Sequence, residues 1–141
     1  MKIMLGKGAK MPTRAHPFDA GLDLYAPEGD GVWAIPPCGG SVVIDTLTHF
    51  QIPEGYTGFI MAKSGLNVNH ELTCTGVIDA HYTGSVRVKL YNHNPWLRYD
   101  VRPGDKIAQL VILKCELPEL EVVDSLEETD RGACGFGSTG R

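Results

Sequence analysis

A chain of 141 residues suits one domain large enough to bury a real core. Its 13 Lys and Arg against 17 Asp and Glu give a net charge of −4, which offers no broad basic field and disfavours a nucleic-acid polymer as main partner, while leaving an anionic small molecule open. No run reaches the ~18 apolar residues of a membrane span, and "MKIMLGKGAK" lacks the apolar stretch of a secretion signal, so a cytoplasmic protein without a membrane partner is expected.

The 17 Gly and 9 Pro punctuate the chain and leave little room for long helices. In "FDAGLDLYAP" (18–27), Asp19 and Asp23 flank a glycine, a pattern that also fits a solvated turn. The runs 40–53, 56–64 and 72–79 are short, apolar or β-branched, and bounded by turn residues, as strands are. "AKSGLN" (62–67) leads into the one candidate helix, 64–72, with Ser64 placed as N-cap. There Lys63 could neutralise a phosphate and Ser64 could donate to it; a plain capped helix fits equally.

"GVIDAHYTG" (76–84) puts Asp79 at the end of an apolar strand, three residues before Tyr82. A carboxylate held at such a junction can act as general base toward water, or can merely bond its own turn. "SVRVKLYN" (85–92) alternates, with Val86, Val88 and Leu90 on one face, which predicts a half-buried strand. Residues 92–105 read as loop. In "IAQLVILKC" (107–115), Leu110 to Leu113 are apolar without alternation, so the strand is covered on both faces, in a sandwich or at a subunit contact. Gln109 stands at the mouth of that run.

Many short strands indicate an all-β sandwich or jelly roll spanning residues 1–125. Residues 126–141, ending "RGACGFGSTGR", have the composition of a mobile tail. Arg131, Phe136, Ser138 and Thr139 supply one cation, one ring and two hydroxyls among glycines, suited to a lid over a phosphorylated aromatic ligand. Cys38, Cys74, Cys115 and Cys134 are widely spaced, and the histidines at 16, 49, 70, 81 and 93 form no metal motif, which disfavours a zinc enzyme.

In this order, "DAGLDLYA", "KSGL", "GVIDAHYTG", "RPGDKIAQLVI" and "RGACGFGSTG" resemble the five motifs of the trimeric dUTP diphosphatase (dUTPase) family, from about residue 12 to the C-terminus. The resemblance implies a jelly-roll-like homotrimer with shared active sites, hydrolysing dUTP to dUMP and diphosphate with Mg2+. By that likeness Asp79 activates the attacking water, and Asp23 lies near the metal, touching it only through water. Lys63, Ser64, Gly65, Gln109, Arg131, Ser138 and Thr139 bind phosphates. Thr73, Gly76, Val77, Ile78, Tyr82, Phe136 and Gly137 receive the nucleoside, with Tyr82 under the deoxyribose and Phe136 over uracil.

The chain departs from the family pattern at Lys63 (usually Arg), at Thr83 and Ser85 (usually Arg and Glu), and at Cys134 (usually Gly). Lys63 keeps the charge but loses the planar fork. Thr83 and Ser85 are expected on the turn surface with little effect on chemistry. Cys134 carries a Cβ where φ > 0 is penalised. Two alternatives follow: a dCTP deaminase-like enzyme, which needs a Glu that "GVIDAHYTGSV" lacks, and a catalytically weak regulatory protein on the same scaffold.

Overall fold

The computed structural model describes residues 1–134; the expectations for Phe136, Gly137, Ser138 and Thr139 lie outside the described residues. The elements are β1 (Lys2–Leu5), β2 (Gly21–Tyr25), β3 (Trp33–Ile35), β4 (Gly40–Gln51), β5 (Tyr56–Met61), α1 (Ser64–His70), β6 (Leu72–Thr73), β7 (Thr75–Ile78), β8 (Ser85–Asn92), β9 (Tyr99–Val101) and β10 (Lys106–Lys114). The all-β, jelly-roll-like expectation with one short helix holds. No helix among the described residues is long and apolar enough to cross a membrane.

Two four-stranded sheets, ordered β1-β4-β8-β6 and β2-β10-β5-β7, accompany a β3-β9 ribbon. Leu24, Ile60 and Leu110 from one sheet and Ile44, Phe50 and Val88 from the other share one buried cluster. In β8 the alternation does what it predicts: Val86, Val88 and Leu90 are buried, Arg87 and Lys89 exposed. Central β10 buries Ile107, Ala108 and Leu110, but Leu113 is exposed, so one chain covers only its first half on both faces.

Three local readings change. The run 72–79 splits, because Leu72–Thr73 pairs with β8 in one sheet and Thr75–Ile78 pairs with β5 in the other. Cys74 is buried at the crossing, and that burial pushes its thiol up to about 11. The loop 92–105 contains β9, whose three residues pair with β3. Lys63, extended at φ −73 and ψ 135, is the N-cap of α1, and Ser64 is its first helical residue.

Asn92 locks the following loop. It is fully buried; its amide donates to the carbonyls of Ile35 (3.1 Å) and Leu97 (2.8 Å), and its oxygen accepts the Asn94 N–H at 3.0 Å. Asn94 Oδ1 then accepts the N–H groups of Trp96 (2.9 Å) and Leu97 (2.8 Å), holding the exposed Trp96 in place. After Lys114 no helix or strand occurs among the described residues, and Leu117, Leu120, Val122 and Leu126 are exposed.

Candidate active site

Strand register builds one half of the site. Asp23 pairs with Gln109, Gln109 with Met61, and Met61 with Thr75, so the four stand in one row across the second sheet. Directly paired residues share a face. Lys63 and Ser64 follow where β5 leaves that row. Asp23 is buried, yet its Oδ1 accepts the Lys63 ammonium and its Oδ2 accepts Lys106 Nζ at 2.7 Å. Burial acts to raise the Asp23 pKa; the hydrogen bonds and charges of Lys106 and Lys63 outweigh it and hold the carboxyl below its ordinary range.

Gln109 Nε2 donates to the Ala62 carbonyl at 3.2 Å. Its other side faces Gly21, where a Cβ would lie 2.3 Å from Gln109 Oε1, so only glycine leaves this rotamer room. A cleft of ≈ 390 Å³ is lined by Asp19, Gly21, Asp23, Lys63, Lys106 and Gln109, and an adjoining one of ≈ 350 Å³ by Ser64, Asn67, Thr73, Thr75 and Gln109. In the first cleft Lys63 and Lys106 face the carboxylates of Asp19 and Asp23, so its formal charge balances, and the two ammonium groups are what it offers to an anion.

The other half lies at the far end of β7. Ile78 pairs with Gly58, and Asp79 follows it, exposed, at the start of the turn into β8. The turn is closed by the Tyr82 N–H on the Asp79 carbonyl at 3.3 Å, with His81 left-handed at φ 67. The Tyr82 ring lies over Gly84, where a Cβ would come within 2.3 Å of its hydroxyl oxygen. That hydroxyl donates to the Ser85 carbonyl at 3.1 Å. Val77, Ile78, Asp79, Tyr82, Ser85 and Arg87 line a cleft of ≈ 440 Å³.

Thr75 and Asp79 are four residues apart on an extended strand, about 13 Å. The structure therefore brings Lys63, Ser64, Gln109 and Asp23 together, and Val77, Ile78, Asp79 and Tyr82 together, but holds the two sets at opposite ends of the β5–β7 pair within one chain. Thr73 falls with the first set, its hydroxyl 2.7 Å from His93 Nε2. Arg131 is exposed beyond the strands, donating from Nε to the Cys134 carbonyl at 3.1 Å. A Cβ at Gly65 would meet nothing within 4 Å, and at Gly76 only ordinary contact with Ile60 at 3.5 Å. The fold of one chain does not itself demand glycine at either.

One expectation is corrected: Ser85 is half-buried rather than on the turn surface, and its hydroxyl donates to Asp45 on β4. Thr83 is exposed on the turn as expected, and its carbonyl contacts His49 Nδ1 at 2.8 Å. Sequence reading also missed Lys106 and Asp45 as members of these clusters. The available signal was charge breaking an apolar pattern, Asp45 inside "SVVIDTLTHF" and Lys106 at the head of "KIAQLVI".

Comparison with solved structures agrees with this architecture of short strands in two sheets. The dUTPase family model matches residues 7–140, and the chain belongs to that family. It is 42% identical over 137 residues to a probable deoxyuridine 5'-triphosphate nucleotidohydrolase of Schizosaccharomyces pombe, covering 96% of this chain and 94% of that protein. It is equally 42% identical to the Kluyveromyces lactis deoxyuridine 5'-triphosphate nucleotidohydrolase, over 100% of this chain and 94% of that one. Among solved structures, the Staphylococcus bacteriophage 80alpha dUTPase with dUPNHPP superposes with a TM-score of 0.85 at 31% identity, covering 99% and 98% of the two chains. A dUTPase from phage phi11 of S. aureus, described with a structural Mg(II) ion, gives a TM-score of 0.79 at 30% identity over 90% and 98%.

Proposed function

We propose that this chain hydrolyses dUTP to dUMP and diphosphate, with Asp79 as general base toward the water that attacks the α-phosphorus. The observation that carries the reading is the cleft in which Asp79 and Tyr82 lie together on one turn, in a chain of the dUTPase family. Val77, Ile78 and the open backbone at Gly76 would seat uracil, with Thr73 beyond; a missing Cβ at Gly76 lets the base approach the strand closely. Lys63, Ser64, Gly65 and Gln109 would hold phosphates.

The 13 Å separation supports a homotrimer in which Asp79 of one subunit faces Lys63 and Gln109 of another. Residues 126–141 would close each site, with Arg131, Ser138 and Thr139 on phosphates and Phe136 and Gly137 at the base. Where the family has Arg, Lys63 is a point charge, and its bond to Asp23 supplies the fixed direction that a planar fork would otherwise give. We place the reaction in the cytoplasm.

Among the described residues no group of three or more His, Cys, Asp or Glu could cage a metal. Both Asp23 oxygens are also engaged by lysines. The donor set suits Mg2+ arriving with dUTP, where phosphate oxygens and water would hold it and it would neutralise charge on the leaving diphosphate. Asp23 is accordingly read as positioning Lys63.

The test is diphosphate release from each deoxynucleoside triphosphate with Mg2+, for the wild type and for Asp79→Asn. The expected outcome is turnover of dUTP alone, nearly abolished in the variant with dUTP binding retained. Ammonia from dCTP, or full turnover by Asp79→Asn, would overturn the reading. A regulatory use of the same scaffold is the second reading: structures of the 80alpha phage dUTPase are described under control of virulence-gene transfer. Turnover at the uncatalysed background would favour it.

A further inference from the structure

Strand β4 carries an irregularity whose contacts converge on the turn bearing Asp79 and Tyr82. Asp45 pairs with Arg87 and His49 with Ser85, so five residues of β4 span what three span on β8. The intervening bulge is fastened on several sides. Thr46 Oγ1 donates to the Val86 carbonyl at 2.8 Å, Asp45 Oδ1 accepts the Leu47 N–H at 2.9 Å, and the Leu47 carbonyl accepts the Gly6 N–H at 2.8 Å. Leu47 itself is left-handed at φ 55, a conformation leucine avoids. Strain held this firmly at a bulge asks what the bulge aims.

It aims two side chains at one turn. Asp45 accepts the Ser85 hydroxyl, while His49 Nδ1 lies 2.8 Å from the Thr83 carbonyl. Between those anchor points sits Gly84, with the Tyr82 ring packed on it and the Tyr82 hydroxyl on the Ser85 carbonyl at 3.1 Å. Neither anchor contributes to the apolar core. Arg87, 3.6 Å from Asp45 Oδ2 and lining the same cleft, supplies a countercharge to the carboxylate from the cleft side.

We infer that Asp45 is a positioning residue that, through Ser85, fixes the Tyr82 ring and thereby sets how strictly the cleft discriminates a deoxyribose from a ribose. The inference rests on the dUTPase reading and on Tyr82 as the sugar platform. The chain of contacts runs Leu47 N–H, Asp45 carboxylate, Ser85 hydroxyl, and then, through the Ser85 backbone, the Tyr82 hydroxyl. A ring held on both its glycine face and its hydroxyl tip cannot yield to an added 2'-hydroxyl; a ring released at its tip can. Asp79 meets Tyr82 only through its backbone carbonyl, and its carboxylate takes no part in these contacts, so the loss falls on binding and discrimination rather than on the chemical step.

The experiment compares kcat and KM for dUTP and UTP, with Mg2+, in wild type, Ser85→Ala, Ser85→Thr, Asp45→Ala and the Ser85→Ala/Asp45→Ala double variant. Ser85→Ala is expected to lower the dUTP:UTP ratio of kcat/KM about tenfold, the equivalent of one charge-assisted hydrogen bond, through KM with kcat held. Ser85→Thr, which keeps the hydroxyl, restores the ratio. The double variant loses no more than the single ones, because both cut one path. Ser85→Ala with an unchanged ratio overturns the inference, as does a parallel fall of kcat that tracks thermal stability. If Asp45→Ala does not fold, the Ala/Thr pair at Ser85 decides alone. A wild type that turns over neither nucleotide overturns the functional reading itself and this inference with it.

Discussion

Lys106 reaches the buried Asp23 carboxylate at 2.7 Å from the strand that also carries Gln109, and Lys63 takes the other oxygen from the end of β5. One acid thus ties β2, β10 and the α1 junction together, and it orients the lysine that stands nearest the phosphate candidates.

Because the folded Asp23 stays ionised to lower pH than its unfolded counterpart, its contribution is complete above about pH 4 and is lost as pH falls through the folded value. Denaturant unfolding of wild type and Asp23→Asn across that range checks this. Wild-type stability should fall more steeply below about pH 4 than that of Asp23→Asn. Equal slopes would mean the lysine bonds do not act as described.

Gly21 is the second test of the row. Gly21→Ala puts a Cβ where Gln109 Oε1 lies, so the amide must swing away while the strand pairing survives. Turnover of dUTP should drop at least about tenfold, the value of a lost hydrogen bond to a charged group, mainly through KM. Circular dichroism should be unchanged. Wild-type kinetics in Gly21→Ala would show that Gln109 does not hold phosphate in this rotamer.

The distance between Thr75 and Asp79 sets the third. Asp79→Asn and Lys63→Ala subunits, each inactive alone, should regain part of the activity when refolded together, because some mixed sites pair an intact Asp79 with an intact Lys63. Light scattering should report one trimeric species. No recovery from mixed assemblies would place each site within one chain.

What the sequence made legible follows from periodicity and motif. The alternation of Val86, Val88 and Leu90 announces β8, and the unbroken Leu110–Leu113 run announces β10. The crossing at Cys74 is not legible, because both halves of 72–79 are equally apolar and only pairing decides which sheet each joins. Strands β3 and β9 have three residues each and exist through their mutual pairing rather than through local preference. For the site, Asp79, Tyr82, Lys63 and Gln109 stand in motifs, whereas the bonds Asp23–Lys106 and Asp45–Ser85 join residues far apart in sequence. The Ser85 hydroxyl reads as surface until the bulge on the neighbouring strand β4 brings a carboxylate to it.

The asparagine-locked loop has a practical consequence for anyone following this chain in solution. Its two tryptophans differ in access to water: Trp96 is 84% exposed at the tip of that rigid loop, while Trp33 packs partly against the core. An ionic quencher such as iodide should extinguish the first before the second. What then glows reports on the β3–β9 ribbon alone, an optical handle on that edge of the sandwich that requires no added dye.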